Sequence, residues 1–152
     1  MDIKIHLASE QHSNDVLPLM RAYHKFDGIL LTDIEREVAL RPLLGENPQG
    51  CVWLASQANQ YIGYIIICFG YSVEFKGRDA FVDELYIAES YRHQGAGGQL
   101  LSHVQTAVQA RGIKALHLEV ARTNASARHF YTKAGFNARE NFMLMSCKLS
   151  KS

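Results

Sequence analysis

The chain has 152 residues, the length of one globular domain, and 47% of them are hydrophobic, too many for a disordered chain. Sixteen lysines and arginines offset fifteen aspartates and glutamates, and the net charge of +1 argues against a nucleic-acid-binding protein. The longest apolar run, residues 61–69, is far shorter than the ~20 residues of a membrane span. We therefore expect a single domain over residues 1–152, with neither nucleic acid nor membrane among its partners.

The cysteines and histidines show no spacing that predicts a disulfide framework or a metal site. Cys51, Cys68 and Cys147 are odd in number, far apart and set in apolar runs, which predicts three small buried side chains. Seven histidines are scattered along the chain without a ligand motif, so we expect no metal. Free thiols suit a reducing compartment, and we expect a cytoplasmic protein.

The first half of the chain predicts a strand, two helices and a hairpin. Residues 3–7 alternate polar and apolar side chains, and residues 12–26 carry an apolar stripe at helical spacing. A second helix is predicted over 33–44, with Asp33 as its N-cap. Two β-rich runs joined by a polar stretch predict an antiparallel hairpin over 52–55 and 61–69.

The next segments predict a strand–helix–strand unit. A strand over 79–87 is followed by the glycines of 95–98, which open an amphipathic helix that stops at Gly112. Residues 115–120 form the next strand, and a crossover of this kind joins parallel strands.

The last part predicts one more helix and one more strand. Asn124 caps the helix and Gly135 ends it, while residues 141–149 alternate like a strand. The predicted fold class is α/β, with a mixed central sheet of about six to seven strands and helices on both faces.

The glycine-rich loop after the predicted strand 79–87 carries the strongest chemical signal, the run RHQGAGG at 92–98. Free amides at a helix start attract anions, glycines allow close approach, and Arg92 adds a forked array of donors. The loop therefore predicts a pyrophosphate site. It lacks the GxxxxGK[ST] of a P-loop, and the dinucleotide fingerprint would need glycine where Leu100 stands.

Two motifs resemble those of the GCN5-related N-acetyltransferase (GNAT) superfamily. Arg92, Gly95 and Gly97 fit its (Arg/Gln)-x-x-Gly-x-(Gly/Ala) motif. Residues 124–136 are similar to its Asn-x-x-Ala-x-x-x-Tyr-x-x-x-Gly-Phe run. The predicted element order also resembles that fold over the whole chain.

The resemblance implies acetyl-CoA as cosubstrate. Loop amides would hold its pyrophosphate, and one strand would pair with its pantetheine arm like an added strand. The implied contacts are Leu85, Tyr86, Ile87, Arg92, His93, Gln94, Gly95, Ala96, Gly97, Gly98, Asn124 and Tyr131.

Acetyl transfer to an amine requires a base, because an amine with a pKa near ~10 is protonated at neutral pH. Asp83 and Glu84 lie mid-strand just before the loop, and strict alternation puts them on opposite faces. The family's fold has a bulge in the corresponding strand, and a bulge would exchange those faces. Either carboxylate is a candidate base, with Glu84 preferred and Glu119 third; a structural role is the alternative for each.

Tyr131 matches the family's tyrosine, which implies a general acid for the leaving thiolate. An aromatic pair such as Phe130 and Tyr131 on a helix is more often packing, so a core role is the alternative. Asn124 has two compatible roles, helix cap and cofactor contact.

We expect a transferase that moves acetyl to a primary amine of a small molecule or peptide by direct attack, since no cysteine lies near the motif for a covalent intermediate. The alternatives are a non-catalytic acyl-CoA sensor with the same fold and a nucleotide-dependent enzyme. The sequence does not distinguish a monomer from a homodimer. Aromatic and acidic residues suit a cationic acceptor. The candidates for its cleft are Tyr23, Phe26, Asp27, Tyr71, Glu74, Phe75 and Asp79.

Overall fold

The computed structural model describes residues 2–150, which divide into two compact units, one up to Glu119 and the other from Val120. The described part of the first unit contains five strands and three α-helices. They are β1 (Lys4–Leu7), α1 (Ser13–Asp27), α2 (Asp33–Leu40), β2 (Gly50–Gln57), β3 (Gln60–Ser72), β4 (Gly77–Ile87), α3 (Ala96–Ala110) and β5 (Leu116–His117). The second unit contains α4 (Ala125–Lys133) and a following segment without regular structure.

The five strands form one mixed sheet in the order β1-β2-β3-β4-β5. The first three pairs are antiparallel and β4–β5 is parallel, which confirms the predicted hairpin and crossover. The hairpin turns through Ala58 and Asn59, both at positive φ, as a two-residue turn between twisted strands requires.

The predicted six to seven strands are too many for the described residues, which form five. The strand expected over 115–120 is reduced to Leu116–His117. The strand expected over 141–149 does not form, and side chains such as Met145 are exposed there. Alternation marks a segment that suits a strand, but a strand exists only where a neighbour completes its hydrogen bonds.

The second helix begins one residue earlier than the predicted cap at Asp33 implies. Thr32, not Asp33, is the N-cap: its side chain accepts a hydrogen bond from Glu35 N, and Glu35 Oε2 accepts one from Thr32 N. This reciprocal pair is a capping box. The helix ends at Leu40 instead of 44, because a 3-10 turn containing Pro42 follows.

Helices cover both faces of the sheet, as predicted. The even-numbered residues of β2, such as Val52 and Leu54, share a buried cluster with Val16 and Met20 of α1 and with Leu40 of α2. Since side chains alternate along a strand, the odd-numbered residues face the other way. There the guanidinium of Arg111, just after α3, lies 5.5 Å from the Trp53 ring centre.

A β-bulge interrupts the pairing of β3 with β4. Ile66 pairs with Glu84 and Ile67 pairs with Val82, so Asp83 is an extra residue without a partner on β3. The bulge expected from the family resemblance is therefore confirmed, and it exchanges faces as anticipated. Val82 lies on the face of Ile67, while Glu84 lies on the face of α1.

In residues 2–150 we find no helix with both the length and the apolar character needed to cross a bilayer.

Candidate active site

The carboxylate of Glu84 is held at both oxygens. Its side chain is 12% exposed. The Tyr64 hydroxyl donates to Oε1 at 2.7 Å, and His24 Nε2 lies 2.7 Å from Oε2. Burial, followed by the charge of Glu84, raises the pKa of Tyr64, so that hydroxyl stays a donor at any working pH.

A chain of polar contacts runs from His24 to the protein surface. His24 is 2% exposed, and its Nδ1 accepts a hydrogen bond of 3.0 Å from Arg36 Nε. Arg36 Nη1 donates to Asp33 Oδ1 at 2.9 Å, and the exposed Arg21 donates to the same oxygen at 2.9 Å. The hydrogen bond from Arg21 and the charges of both arginines lower the pKa of Asp33. Asp33 therefore remains an anion that anchors Arg36.

Asp83, the other predicted carboxylate, has a different environment. Its side chain reaches solvent, but the protein around it removes part of its hydration. That burial, followed by the charge of Glu84, raises the pKa of Asp83, and the nearby His24 acts in the opposite direction. Glu84 is therefore the carboxylate fixed by donors, and Asp83 is the one whose charge is disfavoured. Glu119, the third candidate base, is exposed and lies beyond the end of β5.

The sequence interpretation missed His24, Arg36 and Tyr64. A signal for His24 was available, since Val16, Met20 and His24 are spaced by four and all are buried. A histidine at a core position of a helical stripe needs polar partners inside the protein. Which partners it has is set by the fold, because Glu84 lies 60 residues further along the chain.

Arg92 is less free than its place in the motif suggests. Its Nε donates to the backbone oxygen of Ile87 at 2.8 Å. Its guanidinium carbon lies 5.3 Å from the ring centre of Phe26 and 5.4 Å from that of Tyr86. Arg92 thus connects the end of β4 to α1, and only part of its donor array remains for an anion.

The start of α3 has the features of an anion site. Gly95 is the N-cap at φ +87°, and Ala96, Gly97 and Gly98 form the first turn, whose amides have no acceptor within the helix. A Cβ at Gly98 would meet nothing within 4 Å, so neither packing nor backbone strain requires glycine there. The side of the helix at Gly98 is open to a ligand. His93 and Gln94 of the same loop are exposed.

Among residues 2–150, no strand pairs with β4 on its β5 side beyond Phe81. Leu85, Tyr86 and Ile87 pair with β3, whereas the ladder with β5 includes only Ala80 and Phe81. An extended ligand can therefore pair along the edge of β4 beyond Phe81 in the way that a strand would.

A cavity of about 190 Å³ lies on the sheet between β3, β4 and β5. Within it His117 Nε2 lies 3.2 Å from Asp79 Oδ2, and the ring of Phe75 meets the His117 ring edge-on at 5.0 Å. Of the predicted acceptor residues, Asp79 lines this cavity, and Phe75 contacts the lining residue His117. The lining residues are Cys68, Phe69, Gly70, Asp79, Ala80, Phe81 and His117.

The other predicted acceptor residues lie elsewhere in the first unit. Tyr23 and Phe26 lie beside Tyr86 and Arg92 on the α1 face. Asp27, Tyr71 and Glu74 are exposed.

The cysteines differ from one another, and the prediction that all three are buried is wrong. Cys51 is buried, Cys68 is half-buried and Cys147 is exposed. Burial raises the pKa of Cys51 to about 11, and burial with the charges of Asp83 and Glu84 raises the pKa of Cys68 to about 11. Cys68 is thus close to the carboxylates, which the sequence did not reveal, but its thiol is not ionised at neutral pH.

Tyr131 belongs to the second unit, where it lies between two phenylalanine rings. Its ring centre is 5.0 Å from that of Phe130 and 5.8 Å from that of Phe136. Burial raises the pKa of Tyr131, so the hydroxyl keeps its proton at neutral pH. The capping role predicted for Asn124 is confirmed, since its Oδ1 accepts a hydrogen bond from Ala127 N at 3.0 Å.

An open helix start beside a free strand edge, together with a held carboxylate, is typical of α/β proteins that bind a phosphate-bearing ligand next to an acid–base group. Comparison with known proteins narrows this class. A sequence model described as the Acetyltransferase (GNAT) family matches residues 16–136. The chain belongs to this family.

Individual relatives agree with the assignment. An uncharacterized N-acetyltransferase of Bacillus subtilis, YhfO, is 24% identical over 141 residues, 93% of this chain and 94% of its own. Thialysine N-epsilon-acetyltransferase of Mus musculus is 27% identical over 141 residues, 87% of this chain and 82% of its own. The crystal structure of an integron cassette protein from the mobile metagenome of Cole Harbour Salt Marsh superposes with a TM-score of 0.86 at 26% identity, covering 97% of this chain and 91% of that one.

The difference among the thiols predicts selective alkylation. At neutral pH a brief exposure to iodoacetamide should modify Cys147 and leave Cys51 and Cys68 intact, because burial and a pKa of about 11 both disfavour their thiolates. Mass spectrometry of the digested protein measures this, and Cys147→Ser should abolish the fast reaction. Rapid labelling of Cys68 in the folded protein would contradict the environment described for it.

Proposed function

We propose that the protein transfers an acetyl group from acetyl-CoA to a primary amine of a small molecule or peptide, with Glu84 as general base. The observation that carries the proposal is the carboxylate of Glu84, held by Tyr64 and His24 on the α1 face of the sheet. When bound, acetyl-CoA supplies the acetyl group as a thioester with a thiolate leaving group.

Glu84 suits the role of base for chemical reasons. Each carboxylate oxygen has one hydrogen-bond partner and keeps a second lone pair. It can therefore accept a proton from an ammonium acceptor, either directly or through one water molecule. The high pKa of Cys68 argues for direct attack by the amine instead of an acyl-cysteine intermediate.

Two backbone features fit the cosubstrate. The free amides of Ala96, Gly97 and Gly98 suit a pyrophosphate, and the open surface at Gly98 allows its close approach. The free edge of β4 at Leu85–Ile87 suits the amides of a pantetheine arm. In this proposal Arg92, His93, Gln94 and Gly95 shape the loop, with Arg92 tying it to β4.

Tyr131 is proposed as the general acid. Since burial raises its pKa, it holds a proton that it can give to the departing thiolate. Asn124 begins the helix that carries it and is also proposed to contact the cofactor.

The acceptor is proposed to be cationic before it reacts. Asp83 and Asp79 are acidic, and the rings of Tyr23 and Phe75 offer faces for a cation. The mouse relative is named for an acetyl transfer to thialysine, which supports a small-molecule amine. We further propose that residues 1–152 form one domain and that the protein functions in the cytoplasm. Two copies can assemble as a homodimer in this proposal.

A substitution at Gly98 is expected to change the affinity for coenzyme A without lowering the stability of the fold. Gly98→Val should leave the melting temperature unchanged or raise it, because its Cβ has free space and glycine is the weaker helix former. Binding of coenzyme A should weaken at least about tenfold, the equivalent of ~1.4 kcal/mol, because the side chain would occupy the anion's approach. Isothermal titration with coenzyme A measures it.

A matched control for Gly98→Val is Gln109→Val, an exposed site near the end of the same helix. It should bind coenzyme A like the wild type. Equal affinities of the two variants would exclude the start of α3 as the pyrophosphate site.

The held carboxylate predicts the effect of Glu84→Gln. This variant should bind acetyl-CoA normally and lose turnover at pH 7 by ~10²–10⁴-fold, the usual contribution of a general base. Raising the pH should recover part of the rate, because more of the acceptor is then neutral without help. Thiol release from acetyl-CoA against an amine library identifies the acceptor first and then measures the variant.

Asp83→Asn is the companion variant at the neighbouring carboxylate, and it should lose less activity than Glu84→Gln. If the reverse order is found, Asp83 is the base. If wild-type protein binds acetyl-CoA but acetylates no amine, the protein is an acyl-CoA sensor and not a transferase.

The buried hydroxyl predicts a modest role for Tyr131. Tyr131→Phe should keep its melting temperature, since the ring still contacts Phe130 and Phe136. Turnover should fall by about 10²-fold or less, because a coenzyme A thiolate leaves reasonably well without a proton. Melting curves and steady-state rates of the purified variant measure both effects. A lower melting temperature with unchanged kcat would show that the hydroxyl is structural.

A further inference from the structure

The mechanism above uses His24 only as a contact of Glu84 and does not use Arg36, although both side chains are buried. His24 is 2% exposed and Arg36 is 9% exposed. Burying a polar ring and a charge is costly unless the buried polar atoms have partners, and among the described residues no fully buried side-chain nitrogen or oxygen lacks one. The two buried side chains therefore indicate a role connected with the neighbouring Glu84 carboxylate.

The direction of each hydrogen bond follows from the chemistry of the guanidinium. Arg36 Nε can only donate, so His24 Nδ1, 3.0 Å away, must be the acceptor. A neutral imidazole that accepts at Nδ1 carries its hydrogen on Nε2. That hydrogen points at Glu84 Oε2, 2.7 Å away. A second proton on His24 would set two N–H groups, both carrying positive charge, against each other.

We propose that His24 and Arg36 are positioning residues for Glu84. Arg36 fixes the hydrogen of His24 on Nε2 by donating to Nδ1, and His24 uses that hydrogen to hold the Glu84 carboxylate in one orientation. Asp33 fixes the guanidinium by accepting from Nη1 at 2.9 Å, and Arg21 holds Asp33 from the surface. This inference rests on the proposed role of Glu84 and adds the residues that prepare it.

The neighbours of Glu84 are consistent with this division of roles. The titratable groups that interact with Glu84 itself are His24 of α1, Tyr64 and Cys68 of β3 and Asp83 of β4, and the groups that interact with its partners are Tyr23 of α1, Arg36 of α2 and Tyr86 of β4. Cys68 and Tyr64 keep their protons at neutral pH because their pKa values are raised. Arg36 is a fixed positive charge that reaches Glu84 through the imidazole of His24, whereas the guanidinium of Arg92 lies over the ring of Tyr86.

The protonation of His24 can be observed directly. In protein labelled with ¹⁵N-histidine, long-range ¹H–¹⁵N spectra between pH 5.5 and 8 should show His24 with its hydrogen on Nε2 throughout. The His24→Gln spectrum assigns the signal. In Arg36→Met the hydrogen of the same ring should no longer be confined to Nε2. The control is Arg41→Met, the same change at an exposed arginine just after α2, and it should leave His24 as in the wild type.

The catalytic consequence is tested on the amine that the library identifies. His24→Leu removes the donor and should lower kcat at least about tenfold, but less than the ~10²–10⁴-fold expected for loss of a base, with KM for acetyl-CoA unchanged. His24→Gln keeps an N–H near the same place and should restore most of that loss. A merely structural histidine would lower the melting temperature in both variants without this difference in kcat.

The outcomes separate this inference from the proposed function. A wild-type His24 protonated on Nδ1, or on both nitrogens at pH 7, would overturn the inference even if acetyl transfer is found. Equal kcat for His24→Leu and His24→Gln would overturn the positioning role. If no amine is acetylated while the spectra are as expected, the fixed tautomer stands and the transfer reaction is the part that fails.

Discussion

The candidate site depends on the one extra residue in β4. Counted from Val82 by strict alternation, Glu84 would face α3, where its carboxylate would meet an apolar layer. The unpaired Asp83 reverses that count and turns Glu84 towards α1, where His24 and Tyr64 donate to it. A bulge is therefore the step by which an ordinary strand residue becomes a held and accessible carboxylate.

The imidazole of His24 separates the carboxylate of Glu84 from the guanidinium of Arg36. A direct contact with Arg36 would form a forked ion pair that occupies both carboxylate oxygens and makes them poor proton acceptors. An imidazole between the two charges contributes one N–H instead and leaves the other oxygen to Tyr64. The negative charge of Asp33 then compensates the guanidinium from the other side. The carboxylate is thus stabilised without being neutralised by its own salt bridge.

The sequence predicts the structure best where apolar residues recur at the spacing of a helix or a strand. The stripe of α3, the hairpin and the crossover follow from local spacing, and all three are present. The extent of the sheet is predicted less well, because residues 141–149 alternate without forming a strand, and hydrogen-bonded neighbours are not a local property. For the same reason no local pattern joins His24 to Glu84, or Cys68 to the carboxylates, since in each case the fold brings distant residues together. The bulge was expected only from the family resemblance, and residue spacing alone would have placed Glu84 on the wrong face of the sheet.

The glycines that open α3 also affect how firmly this part of the chain is folded. Each glycine in a helix costs about 1 kcal/mol relative to alanine, and Gly97 and Gly98 both lie in the first turn, where hydrogen bonds are fewest. In the free protein this turn should therefore open more often than the rest of the helix, whose buried face includes Leu100, Leu101 and Val104. A bound anion would bond to the free amides and favour the closed turn. Amide hydrogen exchange at the start of the helix would then slow as ligand is added, and the rest of α3 would change little.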